Sequence, residues 1–233
     1  PELIFSIRYD LVDTDRSGIF GLFNTGIPQF TLSKNLETKW KAKFPIDKVG
    51  WETKYPGIAP GLSNTTGPIY GDWRYFLCGV GGSNSLSNGQ LTKFTKLAFN
   101  GSLDDTDIVK YRYAGMLLLL AEAENQLNNE VRALALVNQI RTARKLPLVT
   151  VDEFGATKDD RENYILEERQ FELLGEGQRW WDLRRTDKAI SVINPLLASF
   201  PNATLLTPDR LLFPVFSEHL IENPKLLPQN PGF

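Results

Sequence analysis

Cysteine and histidine are almost missing from this 233-residue chain: Cys78 and His219 are the sole members of their kind. A single cysteine excludes an internal disulfide, and one cysteine with one histidine removes the usual ligand set of a zinc site. The two are too isolated in sequence, and too short of a third partner, to suggest a nucleophile with its base. Cys78 is expected to be a buried side chain. Charge of one sign is lacking as well. With 26 Lys and Arg against 28 Asp and Glu, the formal net charge of −2 sets up no field to gather nucleic acid or to hold the chain on an anionic membrane. Long apolar runs are also absent. The longest, Met116 to Ala121, falls far short of the roughly 20 residues that span a bilayer. No charged-then-apolar leader precedes Pro1, so the chain reads as a processed or partial sequence.

What remains is ordinary globular material. A hydrophobic fraction of 42% beside 23% charged residues is enough to build a core, which excludes a mainly disordered chain. The two halves differ in habit. Residues 1–105 are rich in Gly, Pro, Ser, Asn and aromatics, with breakers too frequent for long helices. Leu3, Phe5, Ile7 and Tyr9 alternate and predict a short strand. Beyond them the spacing of turn signals such as YPG and SNG predicts long loops, which in folded domains tend to carry function.

Residues 106–233 read as a helical region with an extended, proline-rich tail over 213–233. Tyr113, Met116, Leu117, Leu120, Ala121, Glu124 and Leu127 fall at three-and-four spacing and predict a helix over 111–127. Asn129 is placed to cap a second helix whose buried stripe is Val131, Leu134, Val137 and Ile140. The short connection makes the two antiparallel. A third helix is predicted from Asp159 or Asp160 to Leu174, with Tyr164, Ile165, Arg169, Phe171 and Leu174 facing inward. Gly175 and Gly177 end it, and a fourth is predicted over 179–192.

Four segments in this order carry a resemblance: YRYAGMLLLLAEAENQLN, ALALVNQIRTAR, ILEERQFELLGEGQRWWDLRR and LLFPVFSEHLIENPKLLPQNPGF. Together with ELIFSIRY, GDWRYFL and TKF upstream, they resemble the C-terminal half of the SusD/RagB family. The resemblance implies a mainly α fold, with tetratricopeptide-like helix pairs forming an α-α superhelical scaffold, long aromatic-rich loops and a few short strands. It implies a non-catalytic protein that binds glycans or related nutrients at the cell surface and delivers them to a TonB-dependent outer-membrane porin. It also implies an outer-membrane lipoprotein of Bacteroidetes held by a lipidated N-terminal cysteine. No cysteine stands near Pro1, so a C-terminal portion without its anchor is expected. No cofactor and no metal are implied.

The acids in ILEERQFELLGEGQRWWDLRR invite a catalytic reading. Glycoside hydrolysis needs two carboxylates on opposite sides of one bond, whereas Glu172 and Glu176 are four residues apart on one predicted face. Arg169 precedes Glu172 by three, Arg179 follows Glu176 by three, and Asp182 follows Arg179 by three. That is helical ion-pair spacing, so these residues are assigned to scaffold. Neighbouring helical residues point about 100° apart, so Trp180 and Trp181 cannot form one sugar platform, and at least one is expected in the core; Trp181 is assigned a structural role. Asp72 and Arg74, flanking Trp73, are expected to pair with scaffold. Asp104, Asp105 and Asp107 lack calcium-loop spacing and read as a helix entry, and CGVGGSNS lacks the lysine of a phosphate loop and reads as a turn.

The candidate ligand residues are therefore the loop aromatics Trp40, Trp51, Tyr55 and Tyr70. Rings on loops, with Asn, Asp and Lys nearby for hydroxyls, suit a glycan. Each of these rings fits a core position as well as a ligand-facing one. A helical-repeat module that binds only protein is the alternative.

Overall fold

The computed structural model of the chain describes residues 2–9, 17–24, 30–76, 91, 93 and 106–232. The expectations for Cys78, CGVGGSNS, Asp104 and Asp105 lie outside them. The chain is mainly helical, with short strands, and forms two compact units, Pro1–Glu176 and Gly177–Phe233.

In the first unit β1 (Leu3–Ile7) pairs antiparallel with β4 (Ile108–Arg112), with Phe5 opposite Tyr111 and Ile7 opposite Ile108. This pairing joins the loop-rich region to the helical one. The helix expected over 111–127 is shorter than its pattern: β4 occupies its start, and α5 runs Tyr113–Gln126. Asp107 does not open a helix either; its Oδ1 accepts the Tyr9 N–H at 3.2 Å.

The region read as loops contains helices of its own: α1 (Ile19–Asn24), α2 (Lys34–Lys43), α3 (Lys48–Lys54) and α4 (Trp73–Phe76), with a hairpin of β2 (Leu62–Asn64) and β3 (Gly67–Ile69) between the last two. Ser33 caps α2 by accepting from Leu36 N, and Asp47 caps α3 by accepting from Gly50 N. Leu36, Trp40 and Phe44 lie four apart, as do Trp51 and Tyr55, and all five are buried in one aromatic cluster with Tyr75, Phe76 and Phe171. Gly61 lies against the Lys145 backbone, where a Cβ would come within 2.2 Å of the Lys145 carbonyl oxygen.

Behind them, α6 (Glu130–Ala143) and α8 (Lys158–Glu172) pack on α5. Ala114, Leu117, Leu118 and Ala121 of α5 meet Ala133, Val137 and Ile140 of α6 and Ile165 of α8 in a second core. Asn129 stands at the head of α6 without a capping hydrogen bond from its side chain, and its Nδ2 donates to Glu124 Oε2 at 2.8 Å. Helix α8 starts earlier than expected, since Thr157 rather than an aspartate caps it; Thr157 and Asp160 form a reciprocal capping box. A like pair, Thr150 and Glu153, opens the short α7 (Val151–Phe154). After α8, Gly175 and Gly177 take positive φ of 78° and 74°, a conformation that excludes further helix.

In the second unit the single helix expected over 179–192 is two, α9 (Arg179–Arg185) and α10 (Ala189–Leu197), separated at Asp187 with φ 56°. The tail is not extended throughout: Ser217–Glu222 forms α11, and the Gln229 side chain brackets the Val215 backbone, accepting its N–H and donating to its carbonyl at 2.8 Å each.

Candidate functional site

The charged residues of α8 meet a convergent set of cations from other elements. Arg74 donates through Nε and Nη2 to Asp72 at 2.8–3.1 Å, and through Nη1 to Glu168 Oε1 at 2.8 Å and Glu172 Oε2 at 2.9 Å. Asp72 also accepts the Trp40 indole N–H at 2.9 Å. Arg141 of α6 donates to the other Glu168 oxygen at 2.8 Å and to the Tyr164 hydroxyl at 2.8 Å. Arg112 and Arg144 both reach Glu172 Oε1, at 2.7 and 2.6 Å, and both reach Glu2. Glu176 takes Arg112 and Lys93.

Asp72, Arg74, Arg141, Glu168 and Glu172 are all buried. Glu172 and Glu176 thus make long-range pairs that the expected helical spacing does not contain. The reason is geometric: α8 stops at Glu172, so Glu176 is off the helix, while Arg169 points to α5 and donates to the Gly115 carbonyl at 3.1 Å. In the second unit Asp182 is buried and accepts from Arg185 at 2.9 Å, and Trp181 is 51% exposed under the Arg184 guanidinium. Of the two neighbouring rings Trp181 is the outward one, while Trp180 is half-buried with its indole nitrogen enclosed.

Such a network holds no general acid. Burial works to raise Glu168, but the charges of Arg74, Arg141 and Lys43 outweigh it and bring it down to about 2. Burial likewise opposes the Glu172 charge, and the Arg144 hydrogen bonds with the charges of Arg74 and Arg112 hold its carboxyl well below the usual range. Both carboxylates are thus ionised at neutral pH, and neither has a proton to give. Glu168 titrates near 4.5 when unfolded and near 2 when folded, so the unfolded chain binds more protons between those values. The unfolding midpoint in urea is expected to stay level above about pH 5 and to fall steeply from 4.5 toward 2. A Glu168→Gln protein, less stable at neutral pH, should show a flatter fall; equal slopes for the two proteins would refute the assignment.

The four candidate ligand rings separate on what their polar atoms are doing. Trp40 is stacked on Phe171 at 4.7 Å, and its N–H is held by Asp72. Trp51 donates its N–H to the Ile58 carbonyl at 2.7 Å, and the Tyr55 hydroxyl donates to the Lys43 carbonyl at 2.7 Å. All three rings are buried. A ring of this kind has no face to offer a sugar, and these three are corrected from loop residues to core.

Tyr70 differs. It is half-buried against Trp51, and its hydroxyl has no protein partner among the described residues. Beside it Trp73 is 44% exposed, its indole N–H likewise without a partner among them. These two rings line a cleft of about 220 Å³ with Asn64, Thr66, Pro68 and Phe76. The hairpin turn supplies the polar wall: Asn64 Oδ1 accepts the Thr66 N–H at 2.9 Å and the Thr66 hydroxyl at 2.7 Å, and its amide nitrogen donates to no described residue. On its other side Trp73 borders a cavity of about 290 Å³ lined by Trp40, Arg74, Arg112, Arg144 and Glu172, whose charges are already paired with one another.

The cleft lining carries no Asp, Glu, Lys, Arg or His. It offers hydrogen-bond donors and an aromatic face, and nothing that would recognise a charged ligand. Asn64, Thr66 and the outward face of Trp73 were missed in the sequence; the two-residue NTTG turn between short β runs was the available signal. Among the described residues no group of three or more His, Cys, Asp or Glu is placed to hold a metal, and no helix is long and apolar enough to cross a membrane.

Comparison with known proteins gives the fold a lineage. The SusD family model matches residues 80–233. A SusD-like protein of Formosa agariphila, P38, is 43% identical over 97% of this chain and 46% of its own length; a second from the same organism, P2, is 35% identical over 58% of this chain and 27% of its own. The chain thus spans less than half the length of these curated relatives. Among solved structures, a SusD homologue from Bacteroides thetaiotaomicron superposes over 99% of this chain and 46% of its own, with a TM-score of 0.66 at 20% identity. Surface glycan-binding protein A from the same organism covers 99% of this chain and 52% of its own, at 0.55 and 20%. At such identities the likeness is one of fold.

Proposed function

The chain belongs to the SusD family, and from that premise we propose that the protein binds an uncharged glycan at the outer-membrane surface and passes it to a TonB-dependent porin, with a lipid anchor holding it there. The chain makes no bonds itself, as in the family to which it belongs. The observation that carries the ligand assignment is the cleft at the β2–β3 hairpin, where Tyr70 and Trp73 combine an accessible ring with two unengaged donors.

The physical logic is that of a shallow sugar site. The exposed indole of Trp73 covers the C–H face of a pyranose, while the Tyr70 hydroxyl and the Asn64 amide replace water at its hydroxyl groups. Each such hydrogen bond is worth about 0.5–1.5 kcal/mol net, so the site works by several modest contacts. A buried scaffold network behind Trp73 fixes the wall, which lowers the cost of ordering it on binding.

Tyr70→Phe should weaken a bound neutral oligosaccharide by roughly 3- to 10-fold with no change in thermal midpoint, because only the hydroxyl is lost. Trp73→Ala should weaken it more, on protein whose circular dichroism is unaltered. Calorimetry against a panel of neutral glycans reads both. Undiminished affinity in the two variants would remove the ligand from this cleft, whereas no binding of any glycan of the panel by the full-length parent, with the porin still co-purifying, would leave a purely protein-binding role.

A further inference from the structure

We propose that the charged cavity behind Trp73 is a second ligand site, that it takes a sugar acid, and that the Glu2 side chain holds the place of the ligand's carboxylate. The cavity, about 290 Å³, is lined by four cations, Arg74, Lys93, Arg112 and Arg144, and by two carboxylates, Glu2 and Glu172. The two acids differ in kind. The Glu172 side chain is 2% exposed and receives three guanidinium groups. The Glu2 side chain is 46% exposed and is gripped by one oxygen: Oε1 accepts from Arg112 Nη1 at 2.6 Å and from Arg144 Nη2 at 2.7 Å, while Oε2 accepts from no described residue.

Glu2 nonetheless completes a charge balance. The network around Glu172 joins five cations, Arg74, Lys93, Arg112, Arg141 and Arg144, to five carboxylates, Asp72, Glu168, Glu172, Glu176 and Glu2. The first four of these acids have side chains no more than 5% exposed, so Glu2 is the exchangeable member. Its backbone carbonyl accepts the Tyr113 N–H at 2.7 Å, which keeps the main chain in place while the side chain turns out to water. An ion pair this exposed is weak, so the exchange costs little. It leaves one positive charge over at the mouth of the cavity, and a monoanion from solution restores the balance.

The donors say which monoanion. Arg144 Nη1 donates to no described residue, and beside it stand the Arg144 Nη2 and Arg112 Nη1 groups that Glu2 now occupies. A planar two-oxygen group fits such a fork: one oxygen takes the position of Glu2 Oε1 and the other meets Arg144 Nη1. The walls set the rest of the ligand. Trp73, 44% exposed, offers an indole face to the C–H side of a ring, a surface that a simple carboxylic acid would leave unused. The volume lies at the lower edge of the roughly 300–1,000 Å³ of ligand pockets, which suits one pyranose ring bearing a carboxylate. This ligand is separate from the neutral glycan of the hairpin cleft, and the two assignments stand or fall independently.

The test is calorimetry on the full-length protein at neutral pH and fixed ionic strength, with D-glucuronate and D-galacturonate as probes and D-glucose and D-galactose as neutral controls. Glu2→Gln should bind at least one of the sugar acids about 3- to 10-fold more tightly than the parent, because the amide no longer competes as an anion for the fork. A gain of affinity is a result that damage to the fold does not produce. Arg144→Gln, in which Glu172 keeps Arg74 and Arg112, should lose at least about tenfold in the same affinity. The neutral sugars should show neither change, and Tyr70→Phe should leave the sugar acids unaffected. Equal affinities of the parent and Glu2→Gln, or no binding of either acid by both, would overturn the proposal. So would inorganic sulfate binding as tightly as the sugar acids, which would make the fork an unselective anion site.

Discussion

Arg74→Ala should cost about 4 kcal/mol or more of stability and lower the unfolding midpoint by roughly 10 °C, with the loss confined to folding rather than to any specific ligand contact. The guanidinium is the only described group that touches Asp72, Glu168 and Glu172 together, and all three carboxylates are buried. Its removal leaves Asp72 with the Trp40 N–H and its local backbone donor, Glu168 with Arg141, and Glu172 with Arg112 and Arg144. An uncompensated buried carboxylate is the expensive outcome, more so than the loss of the pair itself.

Arg74→Lys should recover little. A single ammonium cannot reproduce a fork that donates to three carboxylates from three nitrogens. Arg74→Met combined with Asp72→Asn should recover part of the loss, since Asp72 is the buried carboxylate left without a cation. Differential scanning calorimetry distinguishes these cases. A drop under about 2 °C for Arg74→Ala would mean that the network does not hold the unit together.

How much of this was legible in sequence depended on the range of each interaction. The α5–α6 pair was readable as two antiparallel helices because apolar residues recur at helical spacing and the connection is short. The buried face was only partly read: Tyr113, Met116, Leu120, Leu127 and Val131 are exposed, while the small Ala114, Ala121 and Ala133 are buried. Helix α2 was equally periodic in Leu36, Trp40 and Phe44, with Ser33 as its cap, but the surrounding glycines, prolines and asparagines drew the reading toward loops. That error carried into the site, because rings placed on loops look available to ligand and rings at four-residue spacing on a capped helix are core. Asp72, Arg74, Glu172 and Glu176 were singled out for scaffold on motif and spacing, yet their partners were not predictable. Arg112 and Arg144 are 60 and 28 residues from Glu172, a pairing that no local period encodes. One signal was available for Glu168: Arg161, Ile165, Glu168, Arg169 and Glu172 share the buried face of α8, and charges of both signs on such a face require partners from elsewhere.

Trp40→Ala and Trp73→Ala should fail in opposite ways, which is the sharpest separation of scaffold from site in this chain. Trp40 is enclosed by Phe171 and Tyr75, with ring centroids at 4.7 and 5.9 Å, and it supplies a donor to Asp72. Truncation opens a cavity in the aromatic core and takes a hydrogen bond from a buried carboxylate, so the expected loss is about 3–5 kcal/mol. Trp40→Phe keeps most of the packing and loses the N–H, with an expected cost of about 1–3 kcal/mol. Any fall in glycan binding by these proteins should disappear once affinity is expressed per folded molecule. Trp73, by contrast, is nearly half exposed and meets the core chiefly through Phe76 at 6.2 Å, so its truncation should leave the unfolding midpoint almost unchanged while binding falls. Denaturant titration followed by calorimetry on the folded fraction measures both quantities on one sample. If Trp40→Ala folds as well as the parent and loses the glycan, the ligand lies in the charged cavity behind Trp73, and the hairpin cleft is not its site.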